Sequence, residues 1–205
     1  GSGMTDDYTL AELKKLRLKN AAGGVTRHTI PTLREAMQLC KGKILVNVDK
    51  GYEYFKDVHK ILEETGTANQ CVVKERLPYK TVKEQHNDIL DKVIFMPKAD
   101  LCRSDAESII DSYLQNMKPW AFEVRFSQVD DKVLRLLKKL RDNGIPIFVN
   151  ALWPAQNAGH DDDRAVELRQ PDESWGWLVQ QGFKLIQTDR PALLLEYLRA
   201  KKLHK

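Results

Sequence analysis

Residues 43–50 read KILVNVDK, an apolar run that ends in a carboxylate and a lysine and leads into a stretch with helical character. The same arrangement returns along the rest of the chain. The later runs are QCVVKE (70–75), VIFMPK (93–98), WAFEVRF (120–126), IPIFVN (145–150) and FKLIQTD (183–189). Apolar runs that alternate with helices predict consecutive βα units. The runs are nearly continuous in apolar residues, which indicates a parallel sheet covered on both faces.

Two folds are compatible with this repeat, a barrel and an open doubly wound sheet. Neither GxGxxG nor GxxxxGK[ST] occurs in the sequence, so the phosphate loops of many open nucleotide-binding sheets are lacking. Polar residues end most of the runs, as in barrels whose sites draw on several strands. We therefore expect an α/β fold, a TIM-type (β/α) barrel that is incomplete in this chain, with about six βα units of the usual eight. A shorter open sheet is the alternative.

The composition predicts one globular domain over 4–205, preceded by a Gly1–Gly3 leader typical of a cloning remnant. The formal charge of +4 is scattered and no Lys/Arg-rich tract is present, so a nucleic-acid partner is not expected. No apolar run approaches the roughly 18 residues of a membrane span, and no targeting segment follows Met4. The compartment stays open, and a longer parent protein is compatible with the periplasm or with secretion.

The amino-terminal forty residues are predicted to form two helices joined by a loop. Thr9–Glu12 and Thr32–Glu35 each have the spacing of a helix capping box. Leucines between positions 10 and 18 supply an apolar stripe after the first box, and 20–29 has the composition of a loop. We interpret the segment as an αα connection that follows two strands located upstream in a longer parent protein.

Charged residues at the run ends are the first candidates for chemistry, because the carboxyl ends of parallel strands meet at one face of a barrel. Asp49 offers oxygen ligands to a hard cation, although a helix cap or a partner for Lys50 fits equally well. Lys50, Lys74 and Lys98 recur at equal intervals. A lysine there can bind phosphate or form a Schiff base, unless it is simply solvated. Lys74 is the strongest candidate, because Val72 and Val73 lead directly into it.

Later runs add further polar candidates. Glu123 and Arg125 share a face of their strand and are either an ion pair inside the barrel or substrate-facing groups. The ion pair is favoured, because Phe122, Val124 and Phe126 then face the surrounding helices. Asn150 and Trp153 follow the fifth run, and Trp153 is suited to form a pocket wall. His160 opens an acidic triplet that is either a metal chelate or a solvated loop, and Trp175 and Trp177 are expected to pack helices.

Several stretches resemble the glycerophosphodiester phosphodiesterase family. They are TLAELKKLRLK (9–19), IPTLREAMQLCKGKILVNVDKG (30–51), ALWP (151–154) and GFKLIQTDRPALLLEYL (182–198). The resemblance runs from about Thr9 to Leu198, and it implies a TIM barrel. It also implies hydrolysis of glycerophosphodiesters, or of other small phosphodiesters, to an alcohol and glycerol phosphate, with a divalent cation, Mg²⁺ or Ca²⁺, as cofactor.

The resemblance implies roles for particular residues. Asp49 corresponds to a metal carboxylate of the family, and Lys50 lies one position earlier than the family's substrate lysine. We therefore expect Lys74 to neutralise charge on the phosphate, and Lys50, Asn150 and Trp153 to contact the substrate. In the terminal Thr-Asp-Arg-Pro stretch, Asp189 is expected to cap the last helix, with Pro191 in its first turn.

The sequence also departs from the family. The family's His-Arg-Gly motif does not occur, nor does its Glu-x-Asp metal pair with a His-Asp motif close behind, and a His-Asp pair is found only at His160, in a later unit. Those histidines are the family's acid and base, so we expect this chain to be inactive or nearly so. The alternative is a non-catalytic fragment that binds phosphodiesters or forms a homo-oligomer covering open barrel edges. A Schiff-base aldolase built on Lys74 is a third option.

Overall fold

The computed structural model describes residues 3–204. Gly1 and Ser2 of the predicted leader and Lys205 at the end of the predicted domain lie outside the described residues. The proposed domain boundaries stay a prediction. None of the helices in the described range is long and apolar enough to cross a membrane.

The amino-terminal segment contains a β-hairpin where a helix and a loop were predicted. Helix α1 (Leu10–Leu13) stops after one turn, and β1 (Arg17–Lys19) pairs antiparallel with β2 (Val25–Thr29). The connecting turn is closed by Asn20, whose Oδ1 accepts a hydrogen bond of 2.8 Å from the Gly24 N–H. Asparagine and paired glycines are strong hairpin signals, and here they override the leucine stripe.

Both predicted capping boxes form at the start of this region. Thr9 accepts a hydrogen bond from the Glu12 N–H, and Thr32 accepts one from the Glu35 N–H. Helix α2 (Leu33–Cys40) follows the second box.

Six parallel strands follow in chain order, each hydrogen-bonded to the next. They are β3 (Val46–Asn47), β4 (Cys71–Glu75), β5 (Ile94–Asp100), β6 (Phe122–Arg125), β7 (Ile147–Asn150) and β8 (Phe183–Gln187). All six predicted strands are confirmed, and together they curl into part of a TIM-type barrel. The first is much shorter than the apolar run that predicted it, and Ile44 and Leu45 before it are exposed. In the described chain β3 has a strand neighbour on one side only, so its start gains little from pairing.

Helices cover the outer face of the sheet. They are α3 (Phe55–Thr65), α4 (Tyr79–His86), α5 (Ala106–Leu114), α6 (Asp131–Asp142), α7 (Asp162–Val166), α8 (Trp177–Gln180) and α9 (Pro191–Ala200). Helix α6 shows why they form here: Asp130 caps its first turn, and Val133, Leu136 and Leu140 make a buried stripe at helical spacing. Ser104–Glu107 also has the spacing of a capping box, but the helix starts after Asp105, which makes no side-chain cap. Its carboxylate pairs with Arg76 instead.

The two faces of the sheet are packed differently. The outer face joins the helices in one large buried cluster that includes Val73, Phe95 and Phe122. The inner face has a small cluster of its own, made of Val72, Met96 and Ala121, with Ile94, Phe148 and Leu185 partly buried against it. The inner cluster supports the polar residues that follow it along each strand.

Candidate functional site

A cavity of about 320 Å³ lies at the carboxyl ends of the parallel strands, and we call it the mouth. Each of the six strands or the turn after it contributes at least one polar side chain. The lining residues are Asn47, Asp49, Lys74, Lys98, Glu123, Asn150, Trp153, Gln156 and Gln187. The expectation that polar strand ends converge on one place is thus met in the geometry, with Asp49, Lys74 and Trp153 around the same cavity.

Strand alternation explains why these residues meet. Residues two positions apart on a strand point to the same face. Lys74 follows Val72, Lys98 follows Met96, and Glu123 follows Ala121, so each charged residue lies directly above a member of the inner apolar cluster. Asn150 and Gln187 follow Phe148 and Leu185 in the same way. The mouth is therefore a polar layer on an apolar floor.

Lys74 and Glu123 form an ion pair across the mouth. Lys74 Nζ lies 2.7 Å from Glu123 Oε2, and the two side chains are 7% and 18% exposed. The contact lacks hydrogen-bond geometry, so Glu123 Oε2 is buried without a directed hydrogen bond. Lys74 Nζ also lies 5.6 Å from the centroid of the Phe148 ring, within the range of a cation–π contact. The charge of Lys74 is therefore already neutralised inside the protein.

Lys98 is in the opposite situation. It is half-buried on β5 and lines the mouth beside Glu123, its register partner on β6. Within the described residues Lys98 makes no hydrogen bond or ion pair, because the Glu123 carboxylate is turned to Lys74. A partly buried cation without a counter-charge is unfavourable for folding. The sequence favoured Lys74 over Lys50 and Lys98, whereas in the structure Lys74 is paired and Lys98 is the lysine of the mouth without a counter-charge among the described residues.

Asp49 lines the mouth with an exposed carboxylate that has no hydrogen bond or ion pair in the described part of the chain. It is thus neither a helix cap nor a partner for Lys50. Lys50 adopts a left-handed backbone conformation (φ 55°) that turns the chain into the next helical turn. It is exposed and does not line the mouth, so the expected substrate contact from Lys50 is not supported by the geometry.

The oxygen ligands that the described residues offer at the mouth are too few for a divalent-cation site. Mg²⁺ and Ca²⁺ take about six or more oxygen ligands, usually including several carboxylates. Of the two carboxylates that line the mouth, Glu123 is held by Lys74 and only Asp49 is free. Across residues 3–204, no three His, Cys, Asp or Glu side chains come together as a metal-binding group. The described residues therefore do not complete a site for the cation that the resemblance implies.

Trp153 and Asn150 lie where the sequence suggested. Trp153 is 57% exposed and forms one side of the mouth, just before a short helical turn over Pro154–Gln156. Asn150 Oδ1 accepts a hydrogen bond of 2.8 Å from the Leu152 N–H. That bond fixes the side chain and leaves the Asn150 amide nitrogen available as a donor at the mouth.

The predicted ion pair between Glu123 and Arg125 does not form. Arg125 donates to Asp100 Oδ2 through Nε (3.1 Å) and Nη2 (2.9 Å), while Glu123 pairs with Lys74. Arg125 lies higher on β6 than Glu123, level with its register partner Asp100 on β5. The expectation that Phe122, Val124 and Phe126 face the helices is confirmed, since all are buried in the outer cluster.

The loop after β7 is a structural cluster rather than a metal chelate. Asp162 is 4% exposed and accepts hydrogen bonds from Trp175 Nε1 (3.0 Å), Thr188 Oγ1 (2.8 Å) and the Asp189 N–H (2.8 Å). We call these four residues the Asp162 cluster. Asp189 does not cap α9, whose first turn has Pro191 as expected and no side-chain cap. Its backbone N–H instead ties the end of β8 to Asp162.

His160 is also engaged in structure. Its ring stacks on Trp177 with centroids 3.8 Å apart, and its Nδ1 lies 2.7 Å from the Glu173 carbonyl oxygen. Burial lowers the pKa of His160 below its usual value. The expectation that Trp175 and Trp177 pack helices is confirmed. The chain has five histidines, and none of them lines the mouth.

Comparison with known proteins gives the chain a family. Residues 95–198, slightly more than half of the chain, match the family model DUF4996, described as a domain of unknown function. The chain belongs to the DUF4996 family. The DUF4996 region includes Lys98, Glu123, Asn150 and Trp153 of the mouth, whereas Asp49 and Lys74 precede it. No curated protein matches the sequence significantly.

Solved structures establish the fold of this DUF4996 protein. A glycerophosphoryl diester phosphodiesterase from Parabacteroides distasonis superposes with a TM-score of 0.72 at 20% identity, covering 98% of this chain and 66% of its own. Two further structures are described as phosphodiesterases of the same class. The one from Galdieria sulphuraria superposes with a TM-score of 0.64 at 15% identity, covering 97% of this chain and 73% of its own. The one from Silicibacter pomeroyi superposes with a TM-score of 0.63 at 14% identity, covering 96% of this chain and 69% of its own. The chain thus spans about two thirds of the length of these structures. The resemblance seen in the sequence is confirmed at the level of the fold.

Proposed function

We propose that the mouth binds the phosphodiester of a glycerophosphodiester, as part of an enzyme that hydrolyses such compounds to an alcohol and glycerol phosphate. The observation that carries this proposal is Lys98, a half-buried cation at the strand ends that lacks a counter-charge in the described residues. A phosphodiester has one negative charge and non-esterified oxygens that accept hydrogen bonds from an ammonium group. The shared fold with glycerophosphodiester phosphodiesterases supports this choice of ligand.

The other residues of the mouth suit the rest of such a ligand. Lys74 lies on the neighbouring strand, level with Met96, and its charge is paired with Glu123, which leaves Lys98 as the cation for the phosphodiester. The exposed face of Trp153 offers apolar contact to the glycerol carbons. The free carboxylate of Asp49 can accept hydrogen bonds from glycerol hydroxyls. Its role as a metal ligand stays a prediction, because the cation would need ligands beyond those described.

The mouth has one free carboxylate for acid–base catalysis among the described residues, that of Asp49. Hydrolysis of a phosphodiester requires a group that activates water and another that protonates the leaving alcohol. None of the five histidines lines the mouth, and Glu123 is engaged by Lys74. We therefore propose that the chain binds glycerophosphodiesters and that, by itself, it releases no glycerol phosphate.

Binding is tested with glycerophosphoglycerol, whose head group is uncharged, by isothermal titration calorimetry and tryptophan fluorescence. We expect saturable binding that weakens about tenfold in Trp153→Ala, because one apolar wall is lost. Trp120→Ala is the matched control, since Trp120 is also partly exposed but precedes β6 at the opposite end of the sheet. Absence of saturable binding, or equal weakening by both substitutions, would refute the proposal.

Hydrolysis is tested separately by enzymatic detection of released glycerol phosphate, with Mg²⁺ or Ca²⁺ added. We expect release at the level of a buffer control. Turnover that disappears in Asp49→Ala would show that the chain is a complete enzyme, and the proposed division between binding and acid–base chemistry would then be wrong.

A further inference from the structure

A second cavity, of about 330 Å³, adjoins the mouth above β5 and β6, and we call it the side pocket. Its charged lining residues are Arg76, Lys98, Asp100, Glu123 and Arg125. The side pocket shares Lys98, Glu123, Asn150 and Gln156 with the mouth, so one ligand can occupy both. Of the side-pocket residues outside the mouth, the sequence suggested a substrate contact for Arg125, as the alternative to its ion pair.

The charges of the side pocket do not balance. Three cations face two carboxylates. Both carboxylates are committed, Asp100 to Arg125 and Glu123 to Lys74. Arg76 pairs through Nη2 with Asp105 at 2.5 Å, but its Nε is buried and has no hydrogen-bond partner within residues 3–204. Lys98 Nζ and Arg76 Nε are thus donors that remain unused among the described residues, and both belong to positively charged groups.

A buried donor such as Arg76 Nε costs free energy unless a ligand accepts from it, and the half-buried ammonium group of Lys98 favours a negatively charged neighbour. An anionic group at the side pocket would accept hydrogen bonds from Lys98 and Arg76 without displacing either existing ion pair. A cationic group such as choline would supply no acceptor for the buried Arg76 Nε and would add a third positive charge beside Arg76 and Lys98. The side pocket therefore distinguishes ligands by the charge of the part that extends beyond the phosphodiester.

We propose that the side pocket binds a second acidic group, a carboxylate or a phosphate monoester, on the head-group alcohol of a glycerophosphodiester. This inference rests on the proposed function, because it places the phosphodiester itself in the mouth. It narrows the substrate class to glycerophosphodiesters with anionic head groups.

The test compares ligands that differ by one acidic group, measured by calorimetry on the full chain. Glycerophosphoserine differs from glycerophosphoethanolamine by a carboxylate, and glycerophosphoinositol 4-phosphate differs from glycerophosphoinositol by a phosphate. We expect the acidic member of at least one pair to bind about tenfold more tightly, as for a charge-assisted hydrogen bond. The pair that shows the preference identifies the acidic group.

Variants assign the preference to the pocket. Lys98→Met and Arg76→Met should each reduce the ratio of affinities within the responsive pair toward one. Lys184→Met should keep it, because Lys184 is an exposed lysine of the same sheet at its opposite end. If all four ligands bind without an acidic preference, or if the preference survives both pocket variants, the inference is wrong while the proposed function stands. If none of them binds, the proposed function itself fails.

Discussion

The Asp162 cluster and the mouth are two polar regions at the same end of the sheet, and they differ in how their polar atoms are satisfied. Asp162 is buried and accepts three hydrogen bonds, from an indole, a hydroxyl and a backbone amide. Asp49 at the mouth has no hydrogen bond or ion pair with any described residue, and neither does Lys98. Both regions are rich in charge in the sequence, so composition alone does not separate them.

This contrast separates polar groups that stabilise the fold through hydrogen bonds from polar groups that are available to a ligand. A buried carboxylate with all its donors in place stabilises the loop that it anchors. An unpaired charge in a cleft is retained at a cost to stability, which is the usual mark of a binding site. Substitutions in the two regions should therefore have opposite consequences for the free energy of unfolding.

The largest effect is expected at the Asp162 cluster. Asp162→Ala removes the acceptor of Trp175 Nε1, Thr188 Oγ1 and the Asp189 N–H in a buried place. Each donor left unsatisfied costs about 1–3 kcal/mol, so we expect a loss of at least about 3 kcal/mol in the free energy of unfolding. Urea denaturation followed by circular dichroism measures it.

Asp163→Ala is the matched control for this substitution. Asp163 is the next residue on α7, it is exposed, and its side chain makes no hydrogen bond with a described residue. Because Asp163 lies in the first turn of α7, its substitution should cost no more than about 1 kcal/mol in the free energy of unfolding. Equal effects of the two substitutions would contradict the structural role of Asp162.

A smaller effect is expected at the Lys74–Glu123 ion pair, whose charges are paired although it lies in the mouth. Glu123→Gln leaves the Lys74 ammonium group with little exposure and no counter-charge. Loss of one partner from a buried pair costs about 3–5 kcal/mol, and the partial exposure of Glu123 reduces our expectation to about 2 kcal/mol. The double variant Lys74→Met/Glu123→Gln should recover part of that loss, because no charge is stranded. A double variant less stable than Glu123→Gln would show that Lys74 acts through something other than this pair.

The sequence predicted the six strands of the parallel sheet correctly and missed the amino-terminal hairpin. The six strands were predictable because each apolar run has its own helix behind it, and the outer-face cluster gives every run a partner. The hairpin of β1 and β2 was missed because the leucines before Asn20 fit a helical stripe. The turn chemistry of Asn20 and Gly24 decided otherwise.

The site was predictable in its position and only partly in its pairing. Strand periodicity placed Asp49, Lys74, Asn150 and Trp153 at one end of the sheet, and they line one cavity. Glu123 can pair with Lys74 on β4 or with Lys98 on β5, and the choice decides which lysine is left without a counter-charge. Either pair joins strands that are far apart in the sequence. Spacing along one chain does not contain this information.

The stability of the fold should depend on pH through His160, which packs on Trp177 and does not line the mouth. Burial lowers its pKa in the folded state, whereas the unfolded chain titrates near about 6.5. As the pH falls through about 6.5, the unfolded state binds a proton that the folded state does not, so stability decreases. Burial lowers the pKa of His86 as well, which adds to the same trend.

His160→Phe keeps an aromatic ring on Trp177 and removes the titrating group. We expect the difference in urea midpoint between pH 7.5 and pH 5.5 to be smaller in this variant than in the unsubstituted protein. His86 should preserve part of the dependence. A variant with an unchanged pH dependence would show that His160 is not protonated differently in the folded and unfolded states.

The smallest effect on the free energy of unfolding is expected at the two unpaired charges of the mouth, Lys98 and Asp49. Lys98→Met removes a half-buried cation that no described residue neutralises, and its alkyl chain can still cover Met96 below it. Asp49→Asn removes an exposed charge that has no partner among the described residues. Each should change the free energy of unfolding by less than about 0.5 kcal/mol, with Lys98→Met on the stabilising side. Lys184→Met serves as the control for replacing a lysine on this sheet. A loss above about 1 kcal/mol in Lys98→Met, absent from the control, would mean that Lys98 is satisfied within the protein, and its assignment to a ligand would lose its physical basis.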